Sequence, residues 1–389
     1  MNIRPIILAG GEGKRLAPLS TSECTKPFIL LPDGQSLLEK TLRRLDDARF
    51  VPPILMGRSD DRYGLMNHAR AAGVLPHAIL LEDVPRNTAF AIAAAVAYAP
   101  PDTVLAFLPA DQMMEDHNAW QTALFSAAQM AQQGDTICLI GMEGIDFNPE
   151  YGWMELEDTN IKQFLEKPEK LPKFGEFLVN SGQFIGTSKA FSRLLAENAP
   201  EIWQFAQNSV QNRQKKWEYE CLEMPDATCP SLSFDKAVIE KASTLCAVRA
   251  KCGWRDLGTL AAWLEYTSLP LEQQLSCPRR TDRPWGYYEI LATSAEKTTK
   301  RLHVFAGCRL SRQRHFHRSE HWVIESGEAF IEHGDTCLTL RPGEEITIAC
   351  GVWHRLINPT DAPLMIHETQ LGIADENDIE RCEDDYGRV

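Results

Sequence analysis

No C-x-x-C pair occurs among the 11 cysteines of this 389-residue chain, and the nearest approach is Cys246 with Cys252. Odd in number and scattered from Cys24 to Cys382, they imply neither a disulfide framework nor a zinc knuckle. They read as small buried residues in a reducing compartment. Positive charge is scarce: the formal net charge is −14, and no stretch resembles a basic, phosphate-tracking face, which argues against a nucleic-acid partner. Any anionic substrate must be held by local cations against an unfavourable overall field. Long apolar runs are missing too. The uncharged, apolar segment Asn87–Pro101 is too short to span a bilayer, and the first apolar run is cut short by glycines and charges, unlike a signal peptide. The expectation is a soluble cytoplasmic protein with no membrane partner. No internal repeat or low-complexity segment is evident. What is present, 44% hydrophobic and 24% charged residues, is ordinary globular composition, with length for two or three domains.

The chain is organised around residues 5–31, PIILAGGEGKRLAPLSTSECTKPFILL. Pro5–Ala9 reads as a short buried strand ending at a glycine cluster. Gly10, Gly11 and Gly13 permit backbone angles closed to other residues and leave amide N–H groups free to approach an anion. Lys14 and Arg15 add charge at the same turn, and Lys26 follows. Free amides and three cations suit a triphosphate, whereas the glycines alone would suit a plain strand–helix turn equally well. A Walker loop is excluded, because Arg15 stands where Ser or Thr must follow Gly-Lys. A dinucleotide fingerprint is excluded because Leu16 stands where its third glycine belongs. The remaining pattern, G-G-x-G-x-R-L-x-P-L with a lysine-proline about ten residues later, resembles the signature of the sugar-phosphate nucleotidyltransferases.

Strand patterns at 3–9, 51–57, 77–82, 103–109 and 136–142 alternate with helical ones at 36–48, 87–99 and 117–133. This predicts a Rossmann-like α/β domain whose ligands sit beyond the carboxyl ends of the strands. Residues 150–265 are mixed, with strands at Gly152–Leu156, Ile161–Leu165 and Val179–Gly186 and helices near 187–212 and 233–241. The sheet is therefore expected to be mixed, with an edge that carries a second substrate. The prolines and charges of 269–282 read as a linker between a domain at 1–268 and another at 283–389. The last stretch, with short alternating strands and frequent turns, predicts a small antiparallel barrel.

Asp111 ends the most apolar strand of the first half, TVLAFLPAD. Alone it suits a helix cap better than a metal ligand. Asp256, flanked by glycines in GWRDLG, shifts the balance, since two carboxylates from distant sequence can clamp one hard cation. The chemistry would be attack by a sugar 1-phosphate on the α-phosphorus of a nucleoside triphosphate. Alignment and charge neutralisation would supply the rate. Mg2+ on Asp111 and Asp256 would share the α-phosphate charge, Arg15 would hold the departing phosphates, and Lys26 would lie along the reaction line.

Over about 265 residues the chain resembles the mannose-1-phosphate guanylyltransferases, through LAGGEGKRLAPLS, Arg86-Asn87-Thr88-Ala89, LPAD, FLEKP, NSG, FDKAV and GWRDLG. The resemblance implies GTP and mannose 1-phosphate as substrates. It implies a nucleotide site of Leu8, Ala9, Gly10, Gly11, Gly13, Arg15, Arg86, Asn87, Thr88, Pro109 and Ala110. Gly152, Glu166, Lys167 and Asn180 would bind the sugar phosphate, although Glu166-Lys167 would otherwise pass for a surface ion pair. Departures from the family pattern fall at Ala17, Pro27, the shortened Phe147–Gly152 segment and Val179, mostly on the sugar side.

His315-x-His317, Glu320, Gly327 and later His354 match the two cupin motifs. Alternate residues of a strand share a side, so His315 and His317 are expected to face inward together. With Glu320 and His354 they would hold a divalent metal of the zinc, manganese, cobalt or nickel class. The His317–Glu320 spacing is one residue short, Ala349 replaces a proline, and His321 is a rival ligand. RPWG, QRHFHRSEHW, HRLIN and the tail EDDYGR make residues 283–388 resemble the type II phosphomannose isomerase module, commonly fused to the guanylyltransferase. That implies exchange of fructose 6-phosphate and mannose 6-phosphate, with His321, Glu320 and Glu368 as candidates to move the proton. It also implies a tail folded back so that Arg388 acts on the substrate. The extra β-rich segment usual between the two modules is missing, which leaves the oligomeric state open, a homodimer being one option. The competing readings are transfer to a different sugar 1-phosphate and a non-catalytic nucleotide-sugar-binding regulator. The regulator reading would predict loss of the acidic ligands.

Overall fold

The apolar run before the glycine loop forms strand β1 (Ile3–Leu8), with Ile3, Ile6 and Ile7 completely buried. The computed structural model describes residues 1–11, 13–172, 175–225, 227–275, 279–372 and 378–387, so Arg388 lies outside the described residues. The chain divides into two compact units, Met1–Ser268 and Leu269–Val389.

In the first unit β1 is followed by α1 (Leu37–Arg43), β2 (Ile54–Arg58), α2 (Arg62–Ala71), β3 (Ala78–Glu82), α3 (Asn87–Tyr98), β4 (Val104–Pro109), β5 (Gln112–Met113), α4 (His117–Gly134) and β6 (Ile137–Met142). Then come β7 (Trp153–Glu157), β8 (Asn160–Leu165), β9 (Glu176–Thr187), α5 (Ser188–Asn198), α6 (Pro200–Gln211), β10 (Gln214–Lys216), β11 (Tyr219–Cys221), β12 (Leu245–Ala250), β13 (Arg255–Asp256) and α7 (Leu260–Thr267). The large sheet has the order β10-β11-β3-β2-β1-β4-β9-β6-β12-β8-β7. Strands β11, β3, β2, β1 and β4 run parallel, whereas β9 enters antiparallel between β4 and β6. The sheet is therefore mixed.

Alternation along β1 assigns the two faces. Ile6 packs with α3 on one side and Ile7 with α4 on the other. Helix α3 is apolar all round and has every residue from Ala89 to Val96 buried, because it lies between the sheet and α6. Helix α1 starts at an N-cap: the Ser36 side chain accepts from the Glu39 N–H. The glycine loop, Glu82, Asn87 and Asp111 all follow carboxyl ends of strands, where parallel sheets bind ligands.

The second unit is two antiparallel sheets. After α8 (Leu271–Leu275) come β14 (Arg279–Arg283), β15 (Gly286–Thr293), β16 (Lys297–Val304), β17 (Arg312–Arg314), β18 (Arg318–Ser326) and β19 (Ala329–His333). The remainder are β20 (Thr336–Leu340), β21 (Glu345–Ile348), β22 (His354–Ile357), β23 (Leu364–Gly372) and β24 (Glu380–Glu383). One sheet has the order β14-β15-β16-β23-β18-β21, the other β20-β19-β22-β17-β24. Trp322, Ile324, Ile331, Leu356 and Ile366 fill the space between them. The stretch 269–282, expected as a linker, belongs instead to this unit: it holds α8, and β14 pairs with β15. Pairing with β15 engages the β14 backbone despite its polar sequence.

Candidate functional site

In the first unit the glycine loop lies directly on Lys26. Gly13 has φ +72°, and a Cβ there would come 2.7 Å from Lys26 Cβ. No side chain fits that turn without strain. The Lys26 ammonium is ion-paired with Asp111, and its Nζ is 3.8 Å from Asp256 Oδ1. Asp256 reaches this point because β13 pairs with β5, setting Asp256 opposite Gln112. Lys26 is 7% exposed. Burial, and then the Asp111 charge, push the Asp256 carboxyl above its ordinary range. Two carboxylates sharing one cation at a cleft are a fitting donor set for Mg2+.

Beside them is a cavity of about 320 Å³ lined by Leu8, Gly10, Gly11, Asn87, Thr88, Pro109 and Asp111. Ala9 and Ala110, expected in the nucleotide site, are instead buried in the core behind it and do not line the cavity. Asn87 has φ +66°, and its side chain accepts from the Thr88 N–H. Thr88 Oγ1 accepts from the Phe234 N–H. Arg86 precedes α3. Arg15 is largely exposed, and its Nη1 lies 3.8 Å from Glu150 Oε2. Lys167 Nζ lies 3.7 Å from the same oxygen. Gly152, Glu166 and Asn180 sit together: a Cβ at Gly152 would come 3.1 Å from Glu166 Oε2, and the Asn180 N–H donates to the Gly152 carbonyl.

Two carboxyl groups on this cavity were given no role by the sequence, although Asp235 lies in the FDKAV motif. Glu82, at the end of β3, is 5% exposed, and its Oε1 has no hydrogen-bond partner among the described residues. Burial pushes its carboxyl up to about 8. Asp235 accepts from Asn180 Nδ2 at 2.8 Å. Burial, then the Glu166 charge, raise it to about 7. A carboxylate at the end of an apolar strand is a common cap, so Glu82 does not stand out before the strands are assembled; Asp235 opens a short helical turn.

In the second unit His315, Glu320 and His354 converge, with one ligand atom from each within 4.8 Å of the others. All three are buried. His315 Nε2 lies 3.1 Å from Glu320 Oε1, and His354 Nε2 lies 3.5 Å from Glu320 Oε2. Glu320 Oε2 and His354 Nε2 have no hydrogen-bond partner among the described residues, as expected of ligand atoms aimed at a metal. Burial alone would raise the Glu320 carboxyl, but the two imidazoles outweigh it and hold it well below the usual carboxylate range. Burial would lower the His354 imidazole, but Glu320 outweighs that and raises it.

His317 does not join the group. Its side chain is 68% exposed, with Nδ1 2.9 Å from Asp378 Oδ1. The alternation argument fails because β17 ends at Arg314, and residues 315–317 bend rather than continue the strand. His321 is excluded by register. Arg318, Glu320 and Trp322 point inward along β18, whereas His321 faces Thr347 and Glu345. Gln313, not anticipated, has its Nε2 3.4 Å from His315 Nε2. Arg318 donates to Glu320 at 3.2 Å and lies 3.2 Å from His315 Nε2. Glu368 accepts from Trp322 Nε1 at 3.0 Å and from Gln370 Nε2 at 2.8 Å. Burial, then the Glu320 charge, raise it to about 7.

Comparison with known proteins agrees with this division. Residues 4–273 match the nucleotidyl transferase family, and residues 272–384 match the mannose-6-phosphate isomerase C-terminal family. The xanthan biosynthesis protein XanB of Xanthomonas campestris pv. campestris (strain B100) is 30% identical over 466 aligned positions, covering 100% of both chains. The alginate biosynthesis protein AlgA of Pseudomonas aeruginosa is 29% identical, covering 99% of this chain and 97% of its own. The crystal structure of mannose-6-phosphate isomerase from Helicobacter pylori shares the fold, with a TM-score of 0.58 at 23% identity over 66% of this chain and 100% of that one. The chain belongs to the nucleotidyl transferase family, as an enzyme that carries a mannose-6-phosphate isomerase C-terminal domain on the same polypeptide.

Proposed function

We propose that the first unit transfers GMP from GTP to mannose 1-phosphate with release of pyrophosphate, and that the second interconverts fructose 6-phosphate and mannose 6-phosphate. The observation that carries the first half is the meeting of Lys26, Asp111 and Asp256 beside the glycine loop. Asp111 and Asp256 would hold Mg2+, which supplies charge neutralisation at the α-phosphate. Lys26, released toward the phosphates, would align them, and Arg15 would hold the departing pyrophosphate. Glu82 supports guanine as the base. When it ionises against a bound base, its carboxylate offers two acceptors side by side, matching the adjacent N1–H and N2–H donors of guanine, whereas adenine presents an acceptor at N1. Asp235, which lines the cavity, and Asn180 and Glu166 beside it would offer acceptors for sugar hydroxyls.

For the isomerase half, His315, Glu320 and His354 would hold a divalent metal, which supplies a Lewis acid for the sugar oxygens. Glu368, buried and raised to about 7, has the basicity to take and return a proton near neutral pH. The two activities are not consecutive. Mannose 6-phosphate must become mannose 1-phosphate in between, and the chain has no serine-centred phosphomutase loop. The retained Asp111 and Asp256 weigh against a non-catalytic regulator. The deciding experiment is incubation with GTP, Mg2+ and mannose 1-phosphate, followed by pyrophosphate release. Release that requires all three is expected. Turnover of another sugar 1-phosphate without mannose 1-phosphate would reject the sugar assignment.

A further inference from the structure

The direction of the His315 ring is fixed from the far end of its domain. Residues 315–317 bend between β17 and β18, and Asp378 fills that bend. Its Oδ1 accepts from the Phe316 N–H at 3.1 Å and its Oδ2 from the His317 N–H at 2.9 Å. Oδ1 also lies 2.9 Å from His317 Nδ1. The main-chain carbonyl of Asp378 is 2.6 Å from His315 Nδ1. A carbonyl can only accept, so Nδ1 carries a proton, and Nε2, turned toward Glu320, is the nitrogen placed to offer a lone pair to a metal. The second-neighbour contact thus sets both the tautomer and the ring plane of a buried imidazole.

The segment bearing Asp378 is anchored along its length. Strand β24 pairs with β17, setting Arg314 opposite Glu380 and Gln313 opposite Arg381. Arg314 Nη2 lies 2.7 Å from Glu380 Oε2. Arg355, itself buried, reaches both Glu383 and Asp385 at 3.2 Å. Arg309 pairs with Asp385, and the Tyr386 hydroxyl donates to the Arg309 carbonyl at 3.0 Å. An acidic tail that would be solvated on composition alone is instead a strap along the strand that leads into the metal group.

We infer that Asp378 is a positioning residue for His315, so that the affinity of the second unit for a divalent transition metal depends on the C-terminal strap. The inference rests on the reading that His315, Glu320 and His354 hold a metal. Its test is titration of the full-length, metal-stripped protein with Co2+, followed by visible absorption. Asp378→Ala should weaken Co2+ binding about 10-fold or more and alter the band shape, in the range found for outer ligand-orienting contacts. Asp378→Asn keeps one acceptor oxygen and should fall between wild type and Asp378→Ala. His317→Gln should stay within about 3-fold of wild type, because that ring points away from the group. Wild-type affinity and spectrum in Asp378→Ala would overturn the inference. If thermal unfolding shows that variant misfolded, wild-type behaviour of Asp378→Asn overturns it instead. Failure of a different kind is distinguishable: Co2+ binding unchanged in His315→Ala would remove the metal reading itself.

Discussion

Lys26 Nζ lies 3.8 Å from Asp256 Oδ1 while also pairing with Asp111, so one buried ammonium separates two carboxylates that would otherwise repel. On the proposed reading, Mg2+ and Lys26 address the same oxygens. In Lys26→Met the carboxylates face each other uncompensated, and the metal-free protein should melt lower than wild type. Added Mg2+ should raise its melting temperature more than it raises that of wild type. Pyrophosphate release should fall by about 100-fold or more, the scale of losing a charge-stabilising group. Equal Mg2+ stabilisation of both proteins would contradict this account of the site.

Glu82 provides a test of base selection. Inosine triphosphate lacks the 2-amino group of GTP and so loses one charge-assisted hydrogen bond, about 1.5–3 kcal/mol. Wild type should prefer GTP by roughly 10- to 100-fold in kcat/KM, and Glu82→Gln should shrink that preference to a few-fold. An unchanged preference would place the guanine edge elsewhere.

The same residue carries a pH signature in the nucleotide-free protein. Its folded value, about 8, lies above the ordinary glutamate value of about 4.3. Below about 4.3 the carboxyl is protonated in both states, and its contribution to stability is fully present. As pH rises toward 8 the unfolded chain ionises first, and that contribution is lost until the folded carboxyl titrates as well. Asp235, at about 7, adds a similar loss over a range ending about one unit lower. Denaturation midpoints near pH 5.5 and pH 8.5 should therefore show Glu82→Gln gaining on wild type as pH rises. A constant gap between the two would contradict the burial argument.

Much of the fold was legible because its signals are local. The strand expected at 103–109 is β4 at Val104–Pro109, and the helix expected at 117–133 is α4 at His117–Gly134. Helix α2 was not anticipated. Arg62, Gly64, Asn67, His68 and Arg70 interrupt its apolar pattern, and tertiary contacts of Leu65, Met66 and Ala69 supply what the pattern lacks. Strand β14 was missed because its sequence is polar, although β15 follows it directly, and β24 because it too is polar and its partner β17 lies far back along the chain. The phosphate side of the first site could be read from glycine and cation spacing. Glu82 could not, since its burial exists only once β2, β3 and α3 are packed. His317 fails for a similar reason: spacing by two implies a shared face only while the backbone stays extended, and here Asp378 holds it in a bend.

The central claim, two separate sites on one polypeptide, is tested most directly by one crossed assay. Asp111→Asn and His315→Ala are each measured for pyrophosphate release from GTP with mannose 1-phosphate and for fructose 6-phosphate isomerisation. The account predicts that Asp111→Asn loses transfer and keeps isomerisation within about 3-fold, and that His315→Ala does the reverse. Loss of both activities in either folded variant would contradict it.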